Sequence, residues 1–197
     1  ILSPCATPIA ADRTFWGRGY GVIVFRSPTL KKNLWWMESQ FETPFVYRDG
    51  LIALRKAGWD ITSAVIDGKR GVAQVFERLE IPVQYCQFHQ VKTVTRYLTR
   101  KPQTEAAREL RLLALQLKNM REAEFKTALS AWYERWQEFL NERSIAPHKK
   151  RGWEYTHKRL RAAHRSLKDN LCRLFTYQRY PELHIPNTTN TLDGMFS

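Results

Sequence analysis

Cysteine is scarce in this chain. Cys5, Cys86 and Cys172 form an odd, widely spaced set, so no disulfide framework is indicated and a reducing compartment fits. No apolar run approaches the roughly eighteen residues of a membrane-spanning helix, and no stretch reads as a signal peptide. Acid is also short: 19 Asp and Glu face 32 Lys and Arg, for a net charge of +13. That excess calls for an anionic partner, nucleic acid first and an acidic membrane surface second. Residues 1–90 carry 11 basic and 8 acidic side chains, and residues 91–197 carry 21 and 11. The second half is therefore the expected polyanion face. Neither internal repeats nor low-complexity segments are present.

With 197 residues, 43% of them hydrophobic, the chain can bury a real core as one domain with an inserted lobe. It starts Ile1-Leu2-Ser3 and stops four residues beyond Asp193, which reads as an internal fragment of a longer protein. The first ninety residues read as alternating strands and helices. Apolar runs at Ile9–Trp16, Tyr20–Arg26 and Asn33–Glu38 predict three strands, the first two separated by a hairpin-like break at Gly17–Gly19. Thr43–Ala57 predicts a helix closed by Gly58. Ile61–Asp67 predicts a central strand, Val72–Leu79 a short helix and Val83–Cys86 a last short strand. Three adjacent strands followed by helix–strand–helix–strand is the order of a ribonuclease-H-like α/β core, built from about residues 5–90. Beyond it the pattern is almost wholly helical. Leu110, Leu113, Leu117 and Met120 mark one stripe, and Phe125, Leu129, Trp132, Trp136 and Phe139 mark a second that suits helix–helix packing. Pro147 and the basic His148–Arg151 interrupt this pattern, and a further helix is expected from about Glu154 to Phe175.

Three carboxylates stand where chemistry is plausible. Asp12 lies among apolar neighbours, where an unpaired buried carboxylate would cost several kcal/mol, so it must pair, bind metal or face water. Asp67 closes the run from Ile61 and precedes Gly68. Asp193 stands three residues after Asn190, a spacing close to a capping box, and capping would also fix the carboxylate in place. Hard cations such as Mg²⁺ take oxygen ligands, which these groups supply. Asp67-Gly-Lys-Arg-Gly71 lacks the spacing of a nucleotide-binding P-loop. Cys86-Gln-Phe-His89 sets a thiol and an imidazole one turn apart, but no second Cys/His pair completes a zinc site. A structural or substrate-orienting role suits Cys86 and His89 better than thiol catalysis.

Taken in order, Val65-Ile-Asp67-Gly-Lys-Arg-Gly71, Val83-Gln-Tyr-Cys86-Gln-Phe-His89 and Asn187-Thr-Thr-Asn190-Thr-Leu-Asp193-Gly resemble the catalytic domain of DDE transposases. The resemblance is strongest to the Mutator-like group and its bacterial insertion-sequence relatives, and it runs from Ile9 to Ser197. It implies a core of residues 1–90, a helical insertion at 91–184 and the start of a last core helix at 185–197. It also implies that Asp12, Asp67 and Asp193 are catalytic and hold Mg²⁺, or Mn²⁺ in its place, with Cys86, His89 and Asn190 orienting or structural. Asp193 departs from the family, which usually has Glu there. The implied partner is DNA, both transposon ends and target, bound by a homo-oligomer, with no membrane involved. Lys149, Lys150, Arg151, Arg159 and Arg165 would grip phosphates. A nucleoid-associated or nuclear setting follows from that chemistry. The alternatives are a nuclease on the same fold and a non-catalytic, domesticated DNA-binding protein.

Overall fold

The structure, a computed structural model, describes residues 5–15 and 21–189. β1 (Ala6–Phe15), β2 (Gly21–Ser27) and β3 (Lys32–Ser39) pair antiparallel in succession. β2 is buried along its whole length, as its unbroken run Val22-Ile-Val-Phe25 requires of a strand covered on both faces. α1 (Pro44–Lys56) begins with proline, whose missing N–H costs nothing in the first turn. It ends at Ala57, after which Gly58 takes a φ of 87°. β4 (Asp60–Ile66) then runs parallel to β1. α2 (Val72–Glu77) leads to β5 (Val83–Tyr85), parallel to β4. The sheet order is β3-β2-β1-β4-β5, a mixed sheet in an α/β fold. The expected break at Gly17–Gly19 lies outside the described residues.

Phe25 marks the face that α1 and α2 cover. Its ring lies 5.8 Å from that of Tyr47 on α1 and 6.2 Å from that of Phe76 on α2. Val65 and Cys86 belong to a second cluster, with Ile185, Tyr177 and Leu183 packed against them.

The chain divides into two compact units, Ile1–His89 with Cys172–Ser197, and Gln90–Leu171. Residues beyond 171 therefore join the sheet-bearing unit, earlier than the boundary expected near 184. Buried Gln84 explains this: its Nε2 donates to the Leu174 carbonyl at 2.8 Å and its Oε1 accepts from the Tyr177 N–H at 3.0 Å. Thr176 Oγ1 adds a 2.7 Å bond to the Val83 carbonyl. These bonds satisfy the buried amide of Gln84 and return the chain to the sheet.

The second unit holds most of α3 (Gln87–Leu98), α4 (Glu105–Leu115), α5 (Glu122–Asn141) and most of α6 (Lys158–Leu174). Thr104 caps α4 through the Ala107 N–H, and Glu124 accepts from the Arg121 N–H at the start of α5. The second aromatic stripe packs on α4: Trp132 Nε1 donates to the Ala106 carbonyl at 3.1 Å and Trp136 Nε1 to Glu109 at 2.7 Å. The helix expected from about Glu154 starts only at Lys158. Before it, β6 (Arg143–Ile145) and β7 (Trp153–Tyr155) form an antiparallel hairpin. Gly152, at a φ of 70°, turns the chain into β7, a conformation that a helix cannot hold. A four-residue helix, α7 (Thr176–Arg179), follows α6. Among the described residues no helix is long and apolar enough to cross a membrane.

Candidate active site

β1 and β4 are parallel neighbours with Ala10 opposite Val65. Asp12 lies two residues beyond Ala10 on β1, and Asp67 two residues beyond Val65, just past the end of β4. From β1 the sheet grows outward through β2 and β3 on one side and through β4 and β5 on the other. The C-terminal ends of β1 and β4 thus flank a topological switch point, the usual place for ligands in open α/β sheets.

Asp67 is held by its own turn. Its Oδ1 accepts from the Lys69 N–H at 3.0 Å, and Gly68 takes a φ of 85°, an Asx-type turn that glycine permits. The second oxygen of Asp67 accepts no hydrogen bond among the described residues. Lys69 Nζ lies 3.6 Å from Glu42, whose other oxygen accepts from the Tyr47 hydroxyl at 2.7 Å. Burial, then the Glu42 charge and the carboxylates of Asp67 and Asp12, push the Tyr47 phenol well above its ordinary range. Glu42 and Tyr47 thereby tie the Asp67 loop to the start of α1, a role that no local motif announces.

Asp12 Oδ1 accepts from the Arg13 N–H at 2.7 Å, and its Oδ2 lies 3.4 Å from the Thr189 hydroxyl. The same hydroxyl is 3.4 Å from Cys86 Sγ, and the Thr189 N–H donates to that sulfur at 3.3 Å. Asn187 fastens the segment, accepting from the Gln87 N–H at 2.9 Å and donating through Nδ2 to Gln87 Oε1 at 3.2 Å. Thr189 lies inside the Asn187–Asp193 box, where no metal-ligating side chain marks it in the sequence. Asn190 and Asp193 lie outside the described residues.

Cys86 immediately precedes α3 and is buried. Its sulfur accepts the His89 N–H three residues on, as a capping oxygen would at a helix start. Burial pushes the thiol up, but the His89 ring, the Thr189 hydroxyl and the two N–H groups outweigh it, and the net shift is downward. His89 is raised to about 9 by the Cys86 sulfur, against burial and with help from Asp12 and Asp67. Its Nδ1 is buried without a hydrogen-bond partner among the described residues. A protonated imidazole cannot ligate metal. His89 is thus a cation beside two carboxylates.

Among the described residues no three acidic, histidine or cysteine side chains are grouped to hold a metal. Asp12 and Asp67 still fit Mg²⁺, which keeps several waters and binds through one or two carboxylates plus substrate phosphate. The five basic residues expected to grip phosphate are all exposed in the second unit: Lys149, Lys150 and Arg151 in the loop of the hairpin, Arg159 and Arg165 on α6. No protein-family model matches the chain, and no curated protein does.

Proposed function

We propose that this chain is the catalytic domain of a DNA transposase, built on a ribonuclease-H-like core, that cuts and joins DNA strands by metal-dependent phosphoryl transfer. The observation that supports the reading is that Asp12 on β1 and Asp67 just past β4, on adjacent parallel strands of a β3-β2-β1-β4-β5 sheet, both act electrostatically on Tyr47 and His89, with Thr189 donating to Asp12. Asp12 and Asp67 would hold Mg²⁺, and Asp193 would complete the set. Held there, Mg²⁺ would supply Lewis-acid activation of the scissile phosphate and of the attacking water or DNA 3′-hydroxyl. The protein's own part is to fix the carboxylates. The turn at Asp67 and the Thr189 contact at Asp12 do so before substrate arrives, which lowers the cost of assembling the site. His89 adds positive charge beside the two carboxylates.

The test is a cleavage and strand-transfer assay on the protein carrying this domain, with its own terminal sequences as substrate. Asp67→Asn should abolish both Mg²⁺-dependent products while leaving duplex affinity in EDTA equal or slightly tighter, because a repelling carboxylate is gone. Cleavage without any joined product would favour a nuclease on the same fold. Undiminished cleavage by the folded variant would remove Asp67 from the chemistry.

A further inference from the structure

The hairpin of the second unit carries a feature that phosphate gripping does not use. Ile145 pairs with Trp153 across the strands and Arg143 with Tyr155. Cross-strand partners in an antiparallel ladder share a face, so Arg143, Ile145, Trp153 and Tyr155 project together. Arg143 lies over the Trp153 ring at 4.0 Å, Arg161 over Tyr155 at 3.6 Å, and Arg151 is 5.8 Å from Trp153. None of these arginines forms an ion pair with a carboxylate among the described residues. Ile145 stands in this cationic setting at 90% exposure, the most open large apolar side chain among the described residues. From Arg143 to Trp153 there is no acidic residue and there are four Lys or Arg.

The loop that bears these cations is closed by its own bonds. Ala146 N–H donates to the Gly152 carbonyl at 2.8 Å, Lys149 N–H to Ala146 at 2.9 Å and Gly152 N–H to Lys149 at 2.8 Å. Ser144 on the opposite face bonds Thr156 at 2.8 Å. The hairpin is therefore organised before it meets a ligand. A fully exposed aliphatic side chain gains by burial, and its surroundings select an occupant that is both anionic and apolar within a few ångströms. The minor groove of duplex DNA meets both conditions, with phosphates on its walls and sugars and base edges on its floor. Proteins that bind there often insert an aliphatic wedge between base steps and bend the duplex.

We propose that the Arg143–Tyr155 hairpin is a minor-groove wedge, in which Ile145 enters a base step while Arg143, Arg151 and the loop lysines hold the flanking phosphates. The proposal rests on the DNA reading above and adds a site, a groove and a deformation to it. The experiment uses the full chain with an end-labelled duplex of about 30 base pairs containing a flexible TA step. Affinity is read by anisotropy and bending by energy transfer. The unaltered chain should bend the duplex. Ile145→Ser, at an exposed position, should fold normally, bind roughly tenfold more weakly, lose the bend and keep the same salt slope. Arg143→Gln with Arg151→Gln should keep the bend at saturation and lower the salt slope by about two. An Ile145→Ser protein that binds and bends as the unaltered chain does would overturn the wedge. If Asp67→Asn still abolishes cleavage in that case, the proposed activity stands without it. Failure of the unaltered chain to bind duplex DNA would overturn both.

Discussion

The Thr189 hydroxyl lies 3.4 Å from the Asp12 carboxylate across 177 residues of sequence. A hydrogen bond to a charged group contributes about 1.5–3 kcal/mol where it is well formed, and less at this distance. Thr189→Val keeps the shape and removes the one hydroxyl proton that Asp12 Oδ2 and Cys86 Sγ share. It should cost on the order of 1 kcal/mol in denaturant unfolding and slow Mg²⁺-dependent cleavage. Thr189→Ser should restore most of both. Full cleavage by the valine variant would mean that Asp12 is positioned without Thr189.

His89 gives the site a pH signature. Its folded value of about 9 lies above the ordinary 6.5, so its contribution to stability is complete below pH 6.5 and is lost as pH rises through about 9. At this half-buried ring, solvent screening reduces the effect to on the order of 1 kcal/mol. Histidine NMR should show one ring titrating near 9 in the unaltered protein and lower in Cys86→Ser, which removes the main attraction. The stability gap between the unaltered protein and His89→Asn should close between pH 6.5 and 9. A His89 ring titrating below 6.5 would contradict the ion-pair arrangement.

The sheet was legible because its strands carry their own signals. The β-branched run to Ile66 and the Asp67-Gly68 pair at its end mark β4, and Val22–Phe25 mark a strand buried on both faces. The β6–β7 hairpin was not legible: each strand is three residues long, too short to establish alternation. Trp153-Glu-Tyr155 also runs into helix-forming sequence without a break. At the site, Asp12, Asp67, Cys86 and His89 stand in recognisable local settings. Their convergence does not: Thr189 reaches Asp12, and Glu42 and Tyr47 brace the Asp67 loop, only through contacts that folding creates.

Gly50 tests the packing behind the site. It sits inside α1, and an added Cβ would meet Trp35 ring carbons at 2.7 Å. Trp35 in turn lies edge-on to Phe25 with centroids 5.2 Å apart. Alanine would improve helix propensity by about 1 kcal/mol, whereas overpacking costs about 1–3 kcal/mol. Gly50→Ala should therefore lower the urea midpoint with an unchanged slope. A raised midpoint would show that Trp35 swings aside freely.

Asp193 separates an enzyme from a domesticated DNA-binding protein. It is one methylene shorter than the Glu usual in DDE transposases, and its place lies outside the described residues. If Asp193 completes the proposed site, Asp193→Ala should eliminate Mg²⁺-dependent cleavage in the protein carrying this domain, and Asp193→Glu should retain part of it. If Asp193 only caps a helix begun at Asn190, alanine would instead cost about 1 kcal/mol of stability and leave cleavage intact. Melting temperature and strand cleavage measured on both variants decide between the two. A folded Asp193→Ala protein with full cleavage would exclude Asp193 from the metal site and weaken the assignment of Asp12 and Asp67 with it.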